Sequence, residues 1–260
     1  MKPSLLAILQ TTRLSTILQP VLLPVILLLA LTPAMAQSDT LTAQVAPYPG
    51  QNGQVLKGST HDLSLLDIRT LTLKSAILLS GKPDTLDDLL IVKEGEISLT
   101  ITDSTTSLGP GSVALIPAGI SYNLEAKLST YYKFRFRSRH SAGDPVGTNK
   151  TPFILDWTKM PVQHTPKGET RQIFSLPTPW LTKIDLHATT LNPGEVSHLP
   201  HTHRAEEIIL LRTGHVQEYI DGKHYPATNG DLIFLPSGSS HAVENHSTQR
   251  CEYFALQWQQ

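Results

Sequence analysis

Apolar and β-branched residues along this chain gather in short runs, among them 90-LIVKEGEISLTI-101, 207-EIILL-211, 215-HVQEYI-220 and 231-DLIFL-235, punctuated by DG, NG and GPG turn signals. Such side chains suit the pleated, half-buried surface of a strand, while Gly, Asn, Asp and Pro supply the turns between strands. Long amphipathic helices are not evident. Many short strands at regular spacing predict an all-β sandwich or barrel. The run 183-KIDLHATTL-191 places Lys183, Asp185, His187 and Thr189 on one face and Ile184, Leu186 and Ala188 on the other. The polar face fits either a pocket wall or a strand whose outer side meets water, and the second is the ordinary case.

The pattern repeats. Gly214 follows Gly95 by 119 positions, and 230-GDLIFLPSG-238 follows 111-GSVALIPAG-119 by the same 119 without a gap. At that offset 250-RCEYFALQW-258 falls over 131-YYKFRFRSR-139, weaker in identity and equally strand-like. One fold unit has been duplicated. The implied organisation is a first unit over 55–138, a connector over 139–165 rich in Gly, Pro, Ser and Asn, and a second unit over 166–260.

The N-terminus departs from this pattern. Lys2 and Arg13 precede the apolar core 21-VLLPVILLLAL-31, which ends at the small-residue motif 34-AMA-36. Residues 1–36 therefore read as a secretory signal peptide, too short and too broken by Pro24 to span a bilayer of roughly 20 residues. The mature chain, beginning near Gln37, is expected in the periplasm or outside the cell, free of the membrane. Residues 37–54 are polar and broken by Pro and Gly, which predicts a linker with little packing of its own. Cys251 is the only cysteine of the 260 residues, so no internal disulfide forms, and it reads as a small buried hydrophobe. A formal charge of −1 gives no electrostatic reason to expect nucleic acid.

Candidate chemistry concentrates in 198-HLPHTHRAEEIILLRTG-214. In an extended chain His201, His203 and Glu207 share one face, whereas Glu206 points the other way and Pro200 sets His198 apart. Two imidazoles and a carboxylate on one face form a partial shell for a divalent metal, and the alternative is a polar strand mouth open to solvent.

These residues resemble the cupin family. The segment 201-HTHRAEEIILLRTG-214 fits the latter part of the first cupin signature, and 230-GDLIFLPSGSSHAVEN-245 fits the whole of the second. Six residues separate Gly194 from His201 where the family pattern has five. The resemblance covers both repeats and implies an all-β fold of two tandem jelly-roll barrels, a bicupin. It also implies His241 as a further metal ligand beside His201, His203 and Glu207. One divalent metal per chain follows, Mn first, with Fe, Ni or Zn as alternatives, and with open positions for a small-molecule substrate. Subtracting 119 from the four ligands gives Lys82, Asp84, Asp88 and Tyr122, a set without imidazole, so the first barrel is expected to hold no metal and a Lys82 ion pair could fill the place. Cupins often dimerise through sheet edges, which makes a homo-oligomer one expected state.

The layout is similar to ureidoglycine aminohydrolases, while the ligand set is similar to germins, oxalate-degrading cupins and cupin dioxygenases. The leading expectation is a metal-dependent enzyme performing hydrolysis, isomerisation or elimination on a small polar carboxylate, ureide or sugar derivative. A dioxygenase or oxalate-degrading enzyme and a periplasmic ligand-binding or sensory protein are the competing readings. No general acid or base is evident beside the ligands. Arg171 is the candidate clamp for a substrate carboxylate, His215 and His224 are expected in solvent, and Asn245 is expected to fix a turn.

Overall fold

The computed structural model describes residues 40–74, 77–81, 84–140 and 150–260. The expected leader over 1–36, Lys82 and residues 141–149 of the expected connector lie outside the described residues. The first half contributes β1 (Gln44–Ala46), β2 (Gln54–Gly58), β3 (Leu63–Leu73), β4 (Ile77–Gly81), β5 (Asp87–Ile101), β6 (Ser104–Leu108), β7 (Val113–Ile116) and β8 (Tyr122–Ser138). The second contributes β9 (Phe153–Leu155), β10 (Gln163–Thr165), β11 (Gly168–Leu176), β12 (Lys183–Leu191), β13 (Glu206–Thr213), β14 (His215–Ile220), β15 (Lys223–Thr228), β16 (Leu232–Leu235), β17 (His241–Glu244) and β18 (Cys251–Gln259). A single 3₁₀ turn at Trp157–Lys159 is the helical element among the described residues. The all-β expectation is borne out.

Strands β2-β3-β8-β5-β7-β9 form one sheet, with β4 added on β8 and β6 on β5, while β1-β16-β13-β18-β12-β11-β10 form a second and β15-β14-β17 a third. The duplication is visible in the hydrogen-bond register. Glu207 pairs with Leu235 on β16 as Asp88 pairs with Ile116 on β7. Tyr219 pairs with Ala242 as Thr100 pairs with Asn123. Both relations keep the 119-residue offset. The last strand does not: Leu210 pairs with Phe254 where its counterpart Ile91 pairs with Tyr132, an offset of 122. Thus 253-YFALQW-258 lies over 131-YYKFRF-136, which corrects the third sequence match by three residues. The loop before β18 is longer by that amount, and no packing constraint holds a surface loop to fixed length.

The segments expected to be linkers are structural. β1 adds to β16 through Val45↔Ile233, and β9 adds to β7 through Ile154↔Ala114, so each half receives its outermost strand from the segment that leads into the other. The following residues correspond too. The Tyr48 N–H donates to Asp231 at 2.8 Å, and the Trp157 N–H donates to the Ser112 hydroxyl at 3.0 Å. Among the described residues, paired structure is already present at Thr40, which bridges to Ser59, well before the expected start near Val55. The polar composition of 37–54 conceals this because an edge strand needs only its backbone groups to join a ladder.

The run 206-EEIILL-211 is apolar on both faces because each face meets a different core. Ile208 and Leu210 pack with Ile68, Leu89, Phe134, Phe254 and Trp258 in a core shared by both halves. Ile209 and Leu211 pack with Val216, Ile233, Val243 and Tyr253 inside the second half. Leu90 and Val92 occupy the corresponding interior of the first half, and Leu89 and Ile91 the shared core. Period-two alternation sorts side chains between cores here rather than between core and water. Cys251 is buried and unpaired, as expected.

Candidate metal centre

β13 begins at Glu206, so His201 and His203 precede the strand instead of lying on it. Their positions come from neighbours: His201 and His241 form an antiparallel bridge, with the His241 N–H donating to the His201 carbonyl at 3.0 Å, and the Gly238 N–H donates to the His203 carbonyl at 2.9 Å. Gly238 holds φ +83 in the turn after Pro236, a left-handed conformation that glycine adopts without strain. The turn delivers His241 onto β17, facing β13.

Nε2 of His203 lies 3.1 Å and Nε2 of His241 3.0 Å from the same Glu207 oxygen. The ligand nitrogens of His201, His203 and His241 fall within 4.8 Å of one another, and these three imidazoles can hold a metal ion. Two of them have the other nitrogen committed: His203 Nδ1 donates to the Ala205 carbonyl at 2.8 Å and His241 Nδ1 to the Ser239 carbonyl at 2.9 Å. That fixes the tautomer and leaves each Nε2 as a bare lone pair in the neutral ring. His241 Nε2 is buried and makes no hydrogen bond, although the Glu207 carboxylate stands beside it. Imidazole nitrogens and a carboxylate oxygen converging on one point are the donor set a divalent cation requires, so the residues fit a metal. Burial raises the Glu207 carboxyl, but the His203 hydrogen bond and the His241 imidazole outweigh it and hold the group at about 2. His201 is pushed down by burial and by its two neighbouring imidazoles, while the bond to Glu207 raises His203.

His201, Glu207 and His241 form one wall of a cavity of about 470 Å³. Ile209, Val243 and Ala255 supply apolar lining, and His187, Thr189, Tyr253 and Lys167 supply polar groups. His187 and Thr189 thus face the cavity, which overturns the solvent-facing reading of β12. His187 Nδ1 lies 3.2 Å from Asp185 Oδ2. The alternation of 183-KIDLHATTL-191 was the signal, but only the ladder with β18, where Thr189 meets Tyr253, shows what its polar face covers. His198 meets His201 edge-on at 4.0 Å between ring centroids, closer to the group than the intervening Pro200 suggested.

Arg171 does not reach the cavity. Its guanidinium stacks over Trp157 at 4.4 Å and donates to the Met160 carbonyl, so the expected carboxylate clamp is replaced by a packing role. Glu206 faces away from the metal ligands, as expected. Its buried carboxylate accepts from the Thr60 hydroxyl at 2.5 Å, the His61 N–H at 2.9 Å, the Asp62 N–H at 3.0 Å and Trp258 Nε1 at 3.0 Å. Asn245 fixes its turn by donating to the carbonyls of Leu191, Asn192 and Gln249.

The first half keeps the backbone of the site and changes its side chains. The Gly119 N–H donates to the Asp84 carbonyl as Gly238 does to His203. Asp88 accepts from Tyr122 at 2.7 Å and from Arg135 Nε at 3.0 Å, with Lys133 Nζ 2.9 Å away, and Arg135 also reaches Asp84. Lys133 and Arg135 of β8 thus supply cations to Asp84 and Asp88, and the expected Lys82 pair lies outside the described residues.

Glu218 on β14 is wholly buried inside the second half, with no partner for either carboxyl oxygen. Burial, followed by the charges of Glu207 and Glu244, raises its carboxyl well above the ordinary 4.5. Above pH 4.5 the folded chain then binds more protons than the unfolded one, so this residue removes stability as pH rises through that window. In chelator-treated protein Glu218→Leu is expected to gain roughly 1–3 kcal/mol at pH 8 and much less at pH 5. Denaturant midpoints at the two pH values check this, and parallel wild-type and variant profiles would contradict the buried-acid account.

Residues 187–256 match the family described as Cupin domain. This segment is similar to a cupin domain. The chain is similar in structure to a putative glyoxylate-induced protein from Pseudomonas aeruginosa, at 16% identity and TM-score 0.64 over 86% of this chain and 92% of that one. It is also similar to YlbA from E. coli, at 15% identity and TM-score 0.63 over 86% and 94%. An oxalate decarboxylase from Lactobacillus farciminis in complex with formate aligns at 12% identity and TM-score 0.62 over 84% and 86%. At these identities the likeness shows the cupin jelly-roll fold and not the reaction. No curated protein matches the sequence.

Proposed function

We propose that the chain is a bicupin whose second barrel is a metal-dependent enzyme acting without redox chemistry on a small polar carboxylate, ureide or sugar derivative. The carrying observation is the convergence of two backbone-anchored imidazoles on Glu207, whose carboxylate lines a substrate-sized cavity together with His201 and His241. His201, His203, Glu207 and His241 would hold one divalent ion, Mn foremost, which when bound polarises a substrate oxygen as a Lewis acid.

The chain's own residues supply the remainder. His187 is the proton carrier that the sequence did not reveal: Asp185 accepts from Nδ1, which orients the ring and leaves Nε2 to take or give a proton in the cavity. Lys167, held at the rim by a 3.1 Å bond to the Ser197 carbonyl, offers a positive charge to a substrate carboxylate. The apolar wall of Ile209, Val243 and Ala255 excludes water from the reacting groups.

The test uses protein from the periplasmic fraction, whose intact mass reports removal of residues 1–36. Mn- and Fe-loaded samples are screened against ureides, keto acids, sugar acids and oxalate under air and under argon. Turnover is expected to persist without O₂. His187→Gln should lower it by about 10²–10⁴-fold at unchanged metal content. Turnover that stops under argon points to the dioxygenase reading, and tight binding with no turnover points to a sensory protein.

A further inference from the structure

A second convergence of imidazoles and a carboxylate lies on the outer face of the β15-β14-β17 sheet. Alternation along β17 turns His241 and Val243 toward the cavity and Glu244 to the opposite side. Glu244 pairs with Gln217 on β14, and His224 on β15 pairs with Tyr219, so His224 and Glu244 flank the central strand and reach across it. His246, two residues beyond Glu244, returns to the same side. Nε2 of His224 lies 3.2 Å and Nε2 of His246 2.9 Å from one oxygen, Glu244 Oε2. The Tyr219 ring meets His224 edge-on at 5.4 Å, which limits its rotation. Glu244 is largely covered while the imidazoles are about half exposed, so the anchor is fixed and the two outer ligands can close on a guest.

We propose that His224, Glu244 and His246 form a second divalent-cation site, separate from the cavity and suited to Zn²⁺, Cu²⁺ or Ni²⁺. Two imidazole nitrogens and one carboxylate oxygen match the donors these ions favour, and the open outer side leaves room for water to complete the shell. The ion ties β15 to β17 across β14, which is the sheet that carries His241, and so stiffens one wall of the cupin barrel. The inference does not depend on the reaction proposed above.

The test starts from a His201→Ala/His203→Ala protein, in which the cavity ligands are removed. Calorimetric titration with Zn²⁺ is expected to give one remaining equivalent per chain and a higher thermal midpoint. His224→Ala or His246→Ala in that background should weaken binding by on the order of 10-fold or more. The Cu²⁺ electron paramagnetic resonance spectrum should show two imidazole nitrogens, and one after His246→Ala. The same titration of otherwise wild-type chain carrying His224→Ala and His246→Ala, expected to lose one of two Zn²⁺ equivalents, guards against misfolding of the background variant. No Zn²⁺ uptake by the background protein while wild type takes one equivalent, or uptake and spectra indifferent to His224 and His246, would overturn the site and leave a surface histidine–carboxylate ion pair.

Discussion

Replacing His201 and His203 by Ala removes the tightly held metal: elemental analysis of desalted protein is expected to fall from near one ion per chain to near zero. The loss is complete because the remaining donors, Glu207 and His241, do not amount to a shell, and neutral imidazoles contribute most of the affinity for a Mn- or Zn-like ion. Asp84→Ala leaves the ratio unchanged, since Asp84 and Asp88 are already engaged by Arg135, Lys133 and Tyr122 and no imidazole stands beside them. Uptake weakens in acid, where protons compete for the imidazole nitrogens. The outer histidine site fills only when Zn²⁺ is added, so a second tightly held equivalent that survives desalting and both His224→Ala and His246→Ala would mean that the first half binds metal after all.

Glu206→Ala should cost about 3–5 kcal/mol, the largest stability loss expected of any single change named here. Its buried carboxylate satisfies four donors at once, three from residues 60–62 of the first half and one from Trp258, and Ala leaves all four without a partner. The neighbouring Arg204–Asp62 pair, with contacts of 2.9 and 2.8 Å, lies at the same junction and does not replace these bonds. Glu206→Gln keeps one carbonyl acceptor and should lose less than half as much. Denaturant unfolding followed by Trp fluorescence gives both values, and a Glu206→Ala midpoint within about 1 kcal/mol of wild type would show that the junction is held elsewhere.

The sequence by itself determined the all-β class, the duplicated pattern and the candidate ligands His201, His203 and Glu207, whereas His241 entered only through the cupin resemblance. Each rests on local physics: strand propensity, turn chemistry, and a spacing that puts chelating side chains on one face. It also separated Glu206 from Glu207 by alternation alone. It could not say what lies opposite a strand. β12 looks half-solvated until β18 and the cavity are placed against it, and only then does the His187–Asp185 pair become visible. Glu218 shares a face of 215-HVQEYI-220 with Val216 and Ile220, and only the closed barrel shows that no group there pairs with its carboxyl. The arm at 44–48 looks like a linker because its contribution to β16 is made by backbone groups, which composition does not encode. Arg171 pointed to a substrate by charge, but the Trp157 that holds it comes from a connector with no pattern of its own. What tertiary structure decided was every contact between residues far apart in the chain, because hydrogen-bond partners and desolvation belong to pairs of surfaces and a single strand shows only one of them.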